Sequence, residues 1–125
     1  MQTMTAITLR GELDDALFAH IDWKYGLREA AVYRDTGLPV EEIESCDCCK
    51  FGHWMQSLPG FLRVTPEARE VDRLHREFHA CAGKIARRIS NCEFDAAISD
   101  LSGRQYNALS AKLTKAVARW KLAVS

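Results

Sequence analysis

Leu9, Leu13, Ala16, His20, Trp23, Leu27 and Ala30 recur at intervals of three and four residues, with polar positions between them. That spacing lays one apolar stripe along a helix and keeps it in register, as the seam of a bundle does. Asp14 and Asp15 fall on the outer face of the same helix. Gly37 followed by Leu38-Pro39 predicts its end, because glycine suits the residue after the last turn and proline cannot continue the helix. A second stripe runs through Ala68, Val71, His75, Phe78, Ala82, Ile85 and Ile89. Thr65-Pro66-Glu67 starts it with a capping hydroxyl, a proline in the first helical position and an acidic first turn, and Asn91 to Glu93 breaks it. A third stripe carries Ala97, Leu101, Tyr106, Leu109, Leu113, Ala116 and Trp120, with Gly103 marking a bend or a close helix approach.

The 3 prolines, Pro39, Pro59 and Pro66, crowd into the middle of the chain. There the pattern supports only short elements: a helical turn over Glu41 to Ser45, and a short helix over Cys49 to Leu58 stopped by Pro59-Gly60. Strand-like alternation, internal repeats and low-complexity segments do not appear. The pattern predicts an all-α fold, a four-helix bundle with three long helices, one short helix and an irregular crossover. A single domain over residues 1–125 is expected, long enough to bury a real core without disulfides.

Composition narrows the partners. Lys+Arg and Asp+Glu both number 17, so the basic excess of a nucleic-acid or anionic-membrane binder is missing. No apolar run is long enough to span a membrane, and the first residues lack the basic-then-apolar layout of a signal peptide. A cytoplasmic location is expected. The 5 cysteines are an odd number, which in that compartment favours thiols and thiolates over a disulfide framework.

The candidate chemistry lies on the apolar stripes. His75 and His79 stand four apart, so both imidazoles share one helix face about one turn apart. His20 occupies a core-facing position of the first helix, and Cys49 opens the run Cys49-Lys50-Phe51-Gly52-His53-Trp54. Each feature alone has an ordinary explanation, since core histidines are usually hydrogen-bonded and a buried cysteine is usually a small hydrophobe. Together they would bury three titratable rings in one place, and facing helices of a bundle are where metal sites are built. Three neutral imidazoles and one thiolate suit Zn2+, which is tetrahedral and redox-inert. A metal-free helical dimerisation module, its histidines simply hydrogen-bonded, is the competing reading.

Other residues have lesser roles. His53 is expected on an exposed face and outside the ligand set. Cys46 and Cys48 can compete for the metal, pair with another thiol under oxidation, or have no role. Cys81 and Cys92 are expected as packing residues of the third helix, and Trp23, Trp54 and Trp120 as core aromatics. Asp72 shares a helix face with His75 and is placed to orient its imidazole or simply to face solvent. Gly52 admits a close helix approach or a dihedral closed to other residues. Four protein ligands close a zinc site, whereas a catalytic zinc keeps a position for water. Arg76, Glu77 and Phe78 separate the histidine pair, so the Glu of a metalloprotease helix is not in its place. A regulatory role is favoured, and a zinc-dependent hydrolase would need Cys49 to swing aside.

In this order the pieces resemble the chemoreceptor zinc-binding domain family: His20 with Trp23-Lys24, then Cys49-Lys50-Phe51-Gly52-His53-Trp54, similar to a C-x-F/L-G-x-W signature, then His75-Arg76-Glu77-Phe78-His79. The separations look similar too, with 28 residues between His20 and Cys49 and 25 between Cys49 and His75. The resemblance covers essentially the whole chain. It implies a bundle holding one zinc through His20, Cys49, His75 and His79, acting as a cytoplasmic sensor of zinc or of an oxidant such as hypochlorous acid. It also implies a link to chemoreceptor or diguanylate cyclase signalling, hence to chemotaxis or cyclic-di-GMP output. The expected chain is either a stand-alone domain or the sensor part of a longer protein, and a homodimer, with Ile7, Val32, Val117 and Leu122 as apolar residues off the main seams.

Overall fold

A computed structural model describes residues 6–45 and 49–124. The helices are α1 (Ala6–Val32), α2 (Val40–Glu44), α3 (Lys50–Ser57), α4 (Gly60–Arg63), α5 (Pro66–Ser90), α6 (Phe94–Ser102) and α7 (Arg104–Ala123). No strand occurs among the described residues. The all-α bundle is as expected, but it has more segments than four. Among the described residues the crossover holds three short helices, and the last long helix is broken at Gly103.

α5 runs through the middle. It packs along α7, receives α2 on its C-terminal half, and meets α6, while α1 lies across α6 and α7. Phe78 reaches the Tyr106 ring at 5.4 Å and Arg88 pairs with Asp100 at 2.7 Å, so the α6–α7 arm runs antiparallel to α5. Lys24 Nζ donates to Asn107 Oδ1 at 3.0 Å and Lys121 pairs with Asp14, which sets α1 antiparallel to α7 as well. The three stripes meet inside: Leu13, Val71, Leu74, Phe78, Ile85, Ile89, Leu101, Tyr106 and Trp120 are all buried. Val117, expected off the seam, is buried among them.

Helix ends follow from local chemistry. Thr65 Oγ1 accepts the Ala68 N–H at 3.3 Å, with Pro66 in the first helical turn, as its sequence predicts. The end of α1 comes earlier than Gly37. Arg34 takes the left-handed conformation at φ 57°, Asp35 N–H returns to the Ala30 carbonyl at 2.8 Å, and Arg34 N–H to that of Ala31 at 3.4 Å. α5 closes the same way through Cys92 at φ 64°, with Glu93 N–H on the Arg88 carbonyl at 2.8 Å and Cys92 N–H on that of Ile89 at 3.0 Å. Both are Schellman ends with a side chain where glycine is usual. Cys92 is therefore an exposed turn residue and not a packing residue of the helix; Cys81 does pack against the core. At Gly103 the chain turns extended (φ −80°, ψ 171°), and Asn107 Nδ2 donates to the Gly103 and Leu101 carbonyls at 2.7 and 3.2 Å, satisfying groups the break leaves open.

Gly83 has a specific task. A Cβ there would lie 2.6 Å from Glu44 Cβ and 2.8 Å from its Cα, so only glycine lets α2 settle against α5.

Candidate metal centre

His20 projects from the apolar face of α1, Cys49 caps the N-terminus of α3, and His75 and His79 lie one turn apart on the buried face of α5. One donor atom from each of these four residues falls within 4.8 Å of every other. His20 Nε2 and His79 Nε2 are 3.4 Å apart, and Cys49 Sγ and His75 Nε2 are 3.3 Å apart. A zinc tetrahedron with Zn–N of ~2.0–2.1 Å and Zn–S of ~2.3 Å has N–N edges of about 3.3 Å and N–S edges of about 3.5 Å. Those two pairs already stand at such edges.

The orientation of two imidazoles is fixed from behind. His20 Nδ1 donates to the Ala16 carbonyl at 2.6 Å, and His79 Nδ1 donates to the Ile43 carbonyl at 2.8 Å. A carbonyl can only accept, so each neutral ring carries its proton on Nδ1 and presents a bare Nε2 lone pair to the cluster. Two lone pairs 3.4 Å apart cannot hydrogen-bond to each other. They repel unless a cation lies between them. This donor arrangement fits Zn2+, and the backbone carbonyls are the outer-shell partners that metal-binding histidines require.

Aromatic rings wall the cluster. Phe51 meets His75 edge-on at 4.9 Å, Phe78 meets His20 at 5.3 Å and Trp23 meets His79 at 5.5 Å. Burial is accordingly the main cause that pushes His20 down to about 4 and His75 to about 3, with His79 lowered in the same direction. The neighbouring imidazoles add to the shift at His20 and His75, while the carbonyl bonds of His20 and His79 oppose it. All three rings are neutral near pH 7, the form that binds a metal. On the fourth corner, the Gly52 N–H at the start of α3 donates to Cys49 Sγ at 3.2 Å, a bond that favours the thiolate.

The remaining candidates separate cleanly. His53 is exposed on the far side of α3. Asp72 Oδ2 accepts from Arg76 Nε at 3.2 Å rather than from the His75 ring. Trp54 stacks on Phe51 at 5.5 Å and leans on Trp120 at 6.0 Å, anchoring α3. Gly52 is a buried helical residue, and no glycine has positive φ among the described residues, so an unusual dihedral is not its role. Cys46 and Cys48 lie outside the described residues. Sequence reasoning did not find the Ala16 and Ile43 carbonyls. Ala16 stands one helical turn before His20 and was within reach of it, whereas nothing in the identity of Ile43 signals an acceptor for His79.

An all-helical bundle with three imidazoles and one thiolate converging in its interior has the makings of a helical metal-binding domain. Residues 20–86 match the chemoreceptor zinc-binding domain family, and the chain belongs to it. The matched stretch opens on His20 and takes in Cys49, His75 and His79. Comparison with curated proteins gives no match, and neither does comparison with solved structures. Among the described residues no helix is long and apolar enough to cross a membrane.

Proposed function

We propose that His20, Cys49, His75 and His79 hold one Zn2+ and that the domain senses and regulates rather than catalyses. The observation that carries this reading is the pair of inward-facing Nε2 lone pairs beside a third imidazole and a thiolate, in a member of a zinc-binding family. Four protein donors leave no position for a reacting water. Glu77, between the paired histidines, is exposed and engages Arg73, so it supplies no base to the cluster. Bound zinc would cross-link α1, α3 and α5, and would hold Cys49 as a nucleophilic thiolate.

Oxidation of Cys49 is the second route to a signal. A cavity between α1 and α3, lined by His20, Trp23, Cys49 and Lys50 among others, and the partial exposure of Cys49 support access by small reagents. Hypochlorous acid would convert the thiolate to a sulfenic acid with release of chloride, weakening that corner of the site. We assign the output to chemotaxis or cyclic-di-GMP signalling, in the cytoplasm and as a homodimer. Phe18, Ile21, Tyr25 and Val32 support the dimer, as an exposed apolar stripe along α1.

Purified protein should carry about one zinc per chain, with an X-ray absorption spectrum of three nitrogens and one sulfur at ~2.3 Å. Two sulfurs would hand a corner to Cys46 or Cys48. Alanine at His20, His75 or His79 should weaken zinc by more than the roughly 10–100-fold that loss of an outer-shell partner costs. Alanine at His53 should change nothing. Equal zinc release by wild type and Cys49→Ser under oxidant would reduce Cys49 to a structural ligand and favour direct zinc sensing.

A further inference from the structure

The third imidazole of the cluster is supported differently from the other two. His20 and His79 each donate Nδ1–H to a backbone carbonyl. His75 faces Cys49 through Nε2, and its Nδ1 meets no acceptor among the described residues. A metal-binding imidazole nearly always donates that second N–H to a carboxylate, a carbonyl or a water. His75 also lines a cavity of about 280 Å³ between α3, α4 and α5, whose lining includes Arg63, Arg69 and Arg76. Among the described residues Asp72 contributes the one carboxylate of that lining, and its Oδ2 is taken by Arg76 Nε at 3.2 Å. Arg63 and Arg69 form no ion pair among the described residues, so the lining carries two guanidinium side chains with no carboxylate partner there. Guanidinium groups are the side chains best matched to oxyanions, and Gly60 in the wall, where an added Cβ would meet nothing within 4 Å, leaves room for close approach. The volume lies just below the ~300–1,000 Å³ of drug-sized pockets, which suits a compact anion and not a nucleotide.

We propose that this cavity binds a compact, doubly charged oxyanion of the sulfate or hydrogen-phosphate type, held by Arg63 and Arg69, which accepts the Nδ1–H of His75. The inference rests on the reading of His75 as a zinc ligand through Nε2, which places the proton on Nδ1. The anion then does for His75 what the Ala16 and Ile43 carbonyls do for its partners. By linkage, anion and zinc each tighten the other by the same factor. Zinc affinity therefore depends on the surrounding oxyanion concentration, although no anion touches the metal.

Sulfate is the probe, because it binds free zinc only weakly. Isotope-labelled protein, with and without zinc, is titrated with sulfate against chloride at matched ionic strength and followed by NMR. Saturable shifts are expected at the His75 ring and the Arg63 and Arg69 side-chain N–H groups, with a Kd of about 1 mM or tighter. Chelator competition should show zinc bound roughly fivefold more tightly at saturating sulfate. The Arg63→Gln/Arg69→Gln protein alters only exposed side chains, so it should keep its helicity and zinc stoichiometry while losing the sulfate response. A flat titration at His75, or an unchanged response in the double variant, overturns the proposal and leaves water as the partner of Nδ1. Failure of the zinc reading looks different. His75→Ala would then bind zinc as wild type does, while sulfate still saturates Arg63 and Arg69 in the metal-free protein.

Discussion

With Nδ1 of His20 and Nδ1 of His79 already committed to carbonyls, a further proton can add only at Nε2, the atoms that face the cluster. Burial opposes that charge, so His20 titrates at about 4 and His75 at about 3, against an ordinary value of 6.5. Below about 6.5 the unfolded chain takes up protons that the folded metal-free protein refuses. Stability is therefore fully present above pH 6.5 and is lost as pH falls through that window toward 3 to 4. Each ring contributes a slope of up to about 1.4 kcal/mol per pH unit inside the window. Urea denaturation of the metal-free protein near pH 7.5 and near pH 5 reads this directly, and equal midpoints would contradict the buried, neutral assignment. The four candidate ligands were legible in the sequence because imidazole and thiol carry their chemistry in the residue name. Their backbone partners were not, because every residue has a carbonyl and only the fold decides which one arrives behind which ring.

At the level of elements, the long helices were readable from spacing, since a stripe of apolar residues three and four apart can bury only one way. The ends were less so. Gly37 looked like the terminator of α1, but Arg34 takes the left-handed position, because the last core residue, Ala31, has already been placed and the chain must turn away. A side chain in that conformation costs ~1–2 kcal/mol. Cys92→Gly and Arg34→Gly should each stabilise the protein by about 1 kcal/mol, seen as a raised melting temperature. No gain at either would mean that side-chain contacts at the turn offset the backbone cost. The crossover was the least legible region. α2 is only five residues long, and its place depends on a contact distant in sequence, Glu44 against Gly83, backed by the Glu44–Arg87 ion pair at 2.9 Å. Gly83→Ala should lift α2 away, costing ~1–3 kcal/mol of stability. It should also draw the Ile43 carbonyl from His79 and weaken zinc by roughly 10–100-fold. Gly26→Ala, where the added methyl meets open space in mid-helix, should instead stabilise by about 1 kcal/mol. A Gly83→Ala protein with unchanged zinc affinity would show that the carbonyl of Ile43 does not support the site.

For the whole molecule, the question is how much of the fold depends on metal. The largest fully buried side chains include Trp120, Tyr106, Phe78, Leu13, Leu74, Ile85, Ile89 and Leu101. They knit α1, α5, α6 and α7 together through apolar burial, which needs no ion. α2 and α3 are in a different position. They are short, and each is tied to the cluster: α2 through the Ile43 carbonyl on His79, α3 through its capping residue Cys49. Removing the metal should therefore leave the long helices standing and loosen the two short ones. Circular dichroism should keep most of its helical signal. Free zinc at a hundred times its Kd should stabilise the fold by about 2.7 kcal/mol. Hydrogen exchange locates the effect. On chelation, amides of α2 and α3 should exchange faster, while those around Phe78 in α5 and Leu113 in α7 keep their protection. A uniform rise in exchange across all helices would mean that zinc holds the bundle itself together. Exchange confined to α2 and α3 would make the crossover the part of the molecule that reports metal occupancy to a partner.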